Sequence, residues 1–135
     1  MGQTDRMNTS IMPPTIAPPA AKYAHAMLST GVSLMLHTSG VVPIAPDGSV
    51  PDDLGEQANV VWANIVAILE EADMSASDIV SITTYVVVEH LGELGVVMEA
   101  RDRVLDGHRA ASTLVTVPAL VRPEWMLEIA VVAAR

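Results

Sequence analysis

The segment from residue 109 to 134, RAASTLVTVPALVRPEWMLEIAVVAA, admits few folds. It reads as two β-strands, roughly 112–117 and 126–134, joined by a loop that carries Pro118 and Pro123. Side chains alternate along a strand, so Thr113, Val115 and Val117 share one face while Ser112, Leu114 and Thr116 share the other. In the second strand Leu127, Ile129 and Val131 oppose Met126, Glu128, Ala130 and Val132. Both faces of this expected strand pair are largely apolar, so both need cover. One carboxylate, Glu128, stands alone in the middle of the second strand.

The rest of the chain supplies cover for one side only. Residues 1–21 hold Pro13, Pro14, Pro18 and Pro19, which remove backbone donors and predict a flexible arm ahead of a single domain over 22–135. YAHAM (23–27) and VSLMLHT (32–38) are short strand candidates, separated by Ser29, Thr30 and Gly31 at hairpin spacing. An Asp-Gly turn signal at 47–48 marks the next stretch as a surface loop. Asp52 or Asp53 can then cap a helix whose apolar stripe runs through Leu54, Ala58, Val61, Ile65, Ile68, Leu69 and Ala72. Trp62 on that helix is read as packing. Residues 78–88 are rich in β-branched side chains on both faces and predict an interior strand. A second helix is expected from about 91 to 105, with Leu91, Leu94, Val97, Met98, Val104 and Leu105 inward and Gly107 as its C-cap.

The predicted order is β-β-α-β-α-β-β, an α+β sheet with both helices on one face if the crossovers are right-handed. The other face keeps Leu114, Ala130, Val132 and one set of strand residues from 79–88. Apolar surface of that extent predicts burial against other subunits.

At 135 residues, half of them hydrophobic, the chain fits one domain with one core. With no Phe and only two Trp and two Tyr, that core is aliphatic. A net charge of −9 with a single lysine argues against nucleic acid as a partner, because such binding depends on clustered cations. The absence of cysteine removes disulfides, thiolate metal sites and cysteine nucleophiles. No secretory signal or membrane span is evident, and a cytoplasmic protein is the simplest expectation. The histidines at 25, 37, 90 and 108 have no ligand spacing, so neither a metal nor a cofactor is expected.

Glu128 is the candidate catalytic group. A mid-strand carboxylate flanked by Leu127 and Ile129 must be paired or have a raised pKa, and its two readings are a structural ion pair or an acid/base group in an intersubunit cleft. Ser39-Gly40, where a strand enters a loop, offers a hydroxyl and a close-approach amide to an anionic ligand, or is simply a turn. Arg109 and Arg122 bracket a strand, and either can grip a carboxylate or form an ordinary salt bridge.

The blocks HTSGVVP, GSVPDDLGEQANVVWANIVAILEEADMSASDIVSITTYVV, RAASTLVTVPAL and MLEIAVVAA, in this order, resemble the Rid family (YjgF, reactive intermediate deaminase, formerly labelled endoribonuclease L-PSP). The resemblance runs from Tyr23 to the C-terminus. It implies a chorismate-mutase-like α+β fold, a homotrimer with sheets facing inward, and small-molecule clefts between subunits that take a carboxylate-bearing metabolite. It also implies hydrolysis of imines or enamines to oxo acids and ammonia. The family glutamate that orients water falls on Glu128, the Ser-Gly pair on Ser39 and Gly40, and the cleft tyrosine on Tyr23; Tyr85 is counted with the cleft. At the position of the family's carboxylate-binding arginine this chain has Ser112, and at that of a frequent cysteine Leu114, while Arg109 lies three residues earlier. The expected site is thus Glu128 and Ser112 for catalysis, with Tyr23, Ser39, Gly40, Tyr85, Arg109 and Leu114 for binding. Without the arginine, a non-catalytic ligand-binding module is the alternative to a deaminase.

Overall fold

The computed structural model describes residues 7–135, so the part of the expected arm at 1–6 lies outside the described residues. The remainder of that arm is not uniformly irregular. Asn8–Ile11 forms β1, antiparallel to β2 (Ala26–Ser29). The side-chain Nδ2 of Asn8 donates to the carbonyl of Ala134 at 2.7 Å and the hydroxyl of Ser10 to that of Arg109 at 3.1 Å, so β1 is ordered by partners about a hundred residues away. The four prolines occupy the connection between β1 and β2 and lie in neither strand.

The expected hairpin does not form. β2 pairs with β1, while β3 (Met35–His37) pairs antiparallel with β6 (Leu127–Ala134). Gly31 turns at φ 65°, but the chain leaves one sheet there and enters another.

α1 (Leu54–Glu71) follows its stripe closely. Asp53 is the N-cap, its carboxylate accepting from the Glu56 amide at 3.0 Å. Leu54, Ala58, Val61, Ile65 and Leu69 are buried; Ile68, at the margin of the stripe, is exposed. Ahead of the helix, the Asp-Gly signal is a tight turn in which the Asp47 carboxylate accepts from the amide and hydroxyl of Ser49. Those bonds hold the Asp47 carboxyl below its ordinary pKa.

β4 (Ile79–Val87) is the interior strand expected, flanked by β5 (Ala111–Val117) in parallel and β6 in antiparallel; the sheet order is β3-β6-β4-β5. The two C-terminal strands are therefore not a pair. The β4-to-β5 connection is a crossover through a helix, which gives parallel neighbours, and the proline-bearing loop then carries the chain past β4 to its other side. α2 (Leu94–Leu105) begins later than its periodicity predicts. Val88–Glu93 is a 3-10 segment containing Gly92, and Leu91 is exposed. Arg101 joins Val97, Ala100 and Leu105 on the buried side of α2. Asp106 and Gly107 close it with left-handed backbone.

Both helices pack on one face of the four-stranded sheet, against Ile82, Val86, Leu127, Ile129 and Val131. Ser81, Thr83 and Tyr85 of β4 align with Val132, Ala130 and Glu128 of β6 on the opposite face, which no helix among the described residues covers.

Candidate functional site

Glu128 lies on this open face, half-buried, directly across from Tyr85 in the β4–β6 register. It forms no ion pair with a described residue. Main-chain bonds between Val41 and Ile129, at 2.7 and 3.1 Å, bring the segment after β3 onto β6. Thr38 adds a side-chain acceptor for the Val131 amide at 2.9 Å. Gly40 consequently sits against the Glu128 side chain so closely that a Cβ there would lie 1.8 Å from one carboxylate oxygen. Only a residue without a side chain lets the carboxylate keep this position. An open pocket of about 520 Å³ spreads from it, lined by Gly40, Tyr85, Ala119, Leu120, Val121, Glu128 and Ala130. Ser39 and Gly40 also line an adjoining groove of about 470 Å³ that ends on Asn64 and Ile68 of α1.

Two amides on α1 hold the loops around this pocket. Gln57, fully buried, donates to the carbonyls of Pro51 and Glu124, both at 2.8 Å, and accepts from the Met126 amide at 2.8 Å. Asn64 donates to the carbonyls of Val42 and Ile44 at 3.4 and 3.0 Å. Sequence reasoning missed both roles, although polar amides beside a helix's apolar stripe were a usable sign. It also missed the pocket wall at 119–121, where Val121 is 88% exposed. Gln57→Leu should cost about 1–3 kcal/mol, because buried backbone groups lose their partners. Urea titration of both chains checks this, and equal midpoints would remove Gln57 from the support of the loop.

The other expected residues lie elsewhere in the chain. Ser112 and Leu114 pair with Ile82 and Thr84 on the helix-covered face, opposite Glu128. The Ser112 hydroxyl accepts from Nη1 of Arg101 at 3.4 Å. The Tyr23 hydroxyl accepts from the Ala20 amide at 3.2 Å, and Arg109 lines a separate pocket with Lys22. Arg122 stacks over Trp125 at 5.3 Å. One chain thus assembles Gly40, Tyr85 and Glu128, with Ser39 adjoining, and leaves Tyr23, Arg109, Ser112 and Leu114 outside the pocket. Chemically the pocket offers a carboxylate that can hold or deprotonate water, a phenol across from it, and apolar walls.

The family model described as endoribonuclease L-PSP matches residues 15–135. The chain is 40% identical over 78 residues to a 2-iminobutanoate/2-iminopropanoate deaminase of Escherichia coli, covering 56% of this chain and 61% of the relative. It is 32% identical over 83 residues to E. coli TdcF, provisionally named a reactive intermediate deaminase, covering 59% and 63%. The matches therefore span less than two thirds of these relatives' length. Among solved structures, YyfB of Yersinia pestis, described as a Rid-family protein of unknown function, superposes with a TM-score of 0.86 at 27% identity over 96% of this chain and 99% of its own. The structure of E. coli TdcF with bound serine gives 0.69 at 28% identity over 92% and 93%. The shared architecture is the chorismate-mutase-like α+β fold.

Proposed function

The chain belongs to the endoribonuclease L-PSP, or Rid, family, and on that premise we propose that it hydrolyses small imines or enamines to oxo compounds and ammonia at the pocket around Glu128. The observation that carries this reading is the Glu128 carboxylate, held against Gly40 and open to the pocket. In the proposed step, water adds to the imine carbon as its proton passes to Glu128. The carboxyl group passes that proton to the imine nitrogen, giving a carbinolamine, and then relays the carbinolamine's hydroxyl proton to the same nitrogen as the C–N bond breaks and ammonia leaves. Imine and water become oxo compound and ammonia, with no redox change.

The reading includes a homotrimer in which the uncovered sheet faces inward. It gives a use to the residues the single chain leaves apart: Tyr23, Ser112 and Leu114 of one copy would complete the pocket of the next. A carboxylate-bearing substrate, the class to which the serine in TdcF belongs, is proposed, in a cytoplasmic protein that does not bind nucleic acid. A non-catalytic ligand-binding module is the second reading, favoured by a pocket whose lining among the described residues of one chain contains no cation.

The deciding experiment generates 2-imino acids in situ from a panel of amino acids and traps residual imine with semicarbazide. Faster imine loss with the protein supports hydrolysis. No acceleration from a folded protein leaves the binding module, and sedimentation equilibrium at one chain mass in place of three removes the trimer.

A further inference from the structure

We propose that the C-terminal end of α2 carries a second binding site, an anion subsite for a small carboxylate, formed by the cations Lys22 and Arg109 with His108 in the wall. These residues line a pocket of about 220 Å³ together with Asp102, Leu105 and Gly107. The chain has only seven Lys and Arg in a molecule of net charge −9, yet two of them, including its one lysine, meet here. Neither Lys22 nor Arg109 forms an ion pair with a described residue.

The one carboxylate in the wall among the described residues is already engaged. Asp102 accepts from Nε of Arg101 at 3.0 Å. Arg101 is only 6% exposed, and its Nη2 is buried without a hydrogen-bond partner among the described residues. The buried guanidinium offsets the charge of Asp102, so Lys22 and Arg109 keep theirs for a ligand. Nor are the cations spent on the end of the helix, since the carbonyls of Asp102 and Leu105 already accept from the amides of Asp106 and His108.

The scaffold fixes the backbone that carries the two cations and one wall of the cavity. The Ala24 amide donates to the Ala110 carbonyl at 3.0 Å, fixing the Lys22 segment beside Arg109. The His108 ring is anchored through Nε2 to the Ile79 carbonyl at 2.7 Å; because a carbonyl only accepts, Nε2 carries hydrogen. Two cations of different reach around a small cavity suit a compact anion with several acceptor oxygens.

The test is titration of the intact protein with sodium pyruvate at constant ionic strength, following the backbone amides of Gly107, His108 and Arg109 by NMR. Saturable shifts at these amides, with affinity at least tenfold weaker in Lys22→Gln/Arg109→Gln, are expected. Absent or non-saturating shifts, equal affinity in the double variant, or equal shifts with sodium chloride alone overturn the site. Inorganic phosphate is titrated in parallel; saturation by phosphate with no response to pyruvate overturns the carboxylate assignment. The experiment needs no turnover and so separates the two proposals. Pyruvate binding without imine hydrolysis retires the deaminase alone, whereas hydrolysis without these shifts retires the subsite alone.

Discussion

Glu128→Gln should lower imine turnover by about a hundredfold or more, the usual scale for removing a positioned acid/base group, and Gly40→Ala should do nearly the same without touching the carboxylate. The second half of this expectation is the stricter one. An added methyl at residue 40 would lie 1.8 Å from Oε2 of Glu128, 2.6 Å from its Cδ and 2.9 Å from its Cγ, so the whole carboxylate has to swing away. Gly40 is not among the positive-φ glycines, and alanine is therefore compatible with its backbone. The fold should survive, with a melting temperature within a few degrees of wild type. Because both substitutions remove the same group from the same place, the double variant should be no slower than the worse single variant. Multiplying losses in the double variant would show that Gly40 acts by another route. Wild-type rates in Glu128→Gln would remove the carboxylate from the mechanism altogether.

What could be read from the chain divides along the distance over which each feature is decided. α1 was legible because its cap and stripe are local: Asp53 and the buried positions from Leu54 to Leu69 all fall inside one short window. β4 was legible as interior because its run of β-branched residues carries no charge on either face. Pairing partners were not. Nothing in YAHAM or VSLMLHT says that β2 seeks β1 and β3 seeks β6, since the deciding bonds come from Asn8, Ser33, Leu34 and Arg135. The same holds for β5 and β6, adjacent in sequence but separated in space by β4. At the site, Glu128 and Gly40 were readable because a lone strand carboxylate and a strand-end glycine are visible as residue types. Which face Ser112 takes relative to Glu128 was not, because alternation orders residues within a strand and only register relates one strand to another. Arg101 was hidden for a different reason. A charged residue in an amphipathic helix reads as solvent-facing, and its burial depends on Asp102 and Ser112 both offering acceptors.

Trp62→Ala should be the most destabilising of these substitutions, by about 3–5 kcal/mol, the range for emptying a large aromatic site in a packed core. Trp62 is 1% exposed and belongs to the cluster that joins α1 to the sheet. It lies between Gln57 and Asn64, the two amides that hold the loops around Glu128, so a cavity at Trp62 loosens the part of α1 on which both loops depend. A fall in melting temperature of about 10–20 °C is expected at fixed protein concentration. Trp62→Phe separates packing from polarity. The indole Nε1 is buried without a hydrogen-bond partner among the described residues, so phenylalanine removes an unsatisfied donor along with part of the ring. The two effects oppose each other, and the net cost should stay below about 2 kcal/mol, with the loops and turnover retained. A Trp62→Phe chain as unstable as Trp62→Ala would mean that the indole N–H has an acceptor in solution and that the polar contact, rather than ring volume, secures α1 to the sheet.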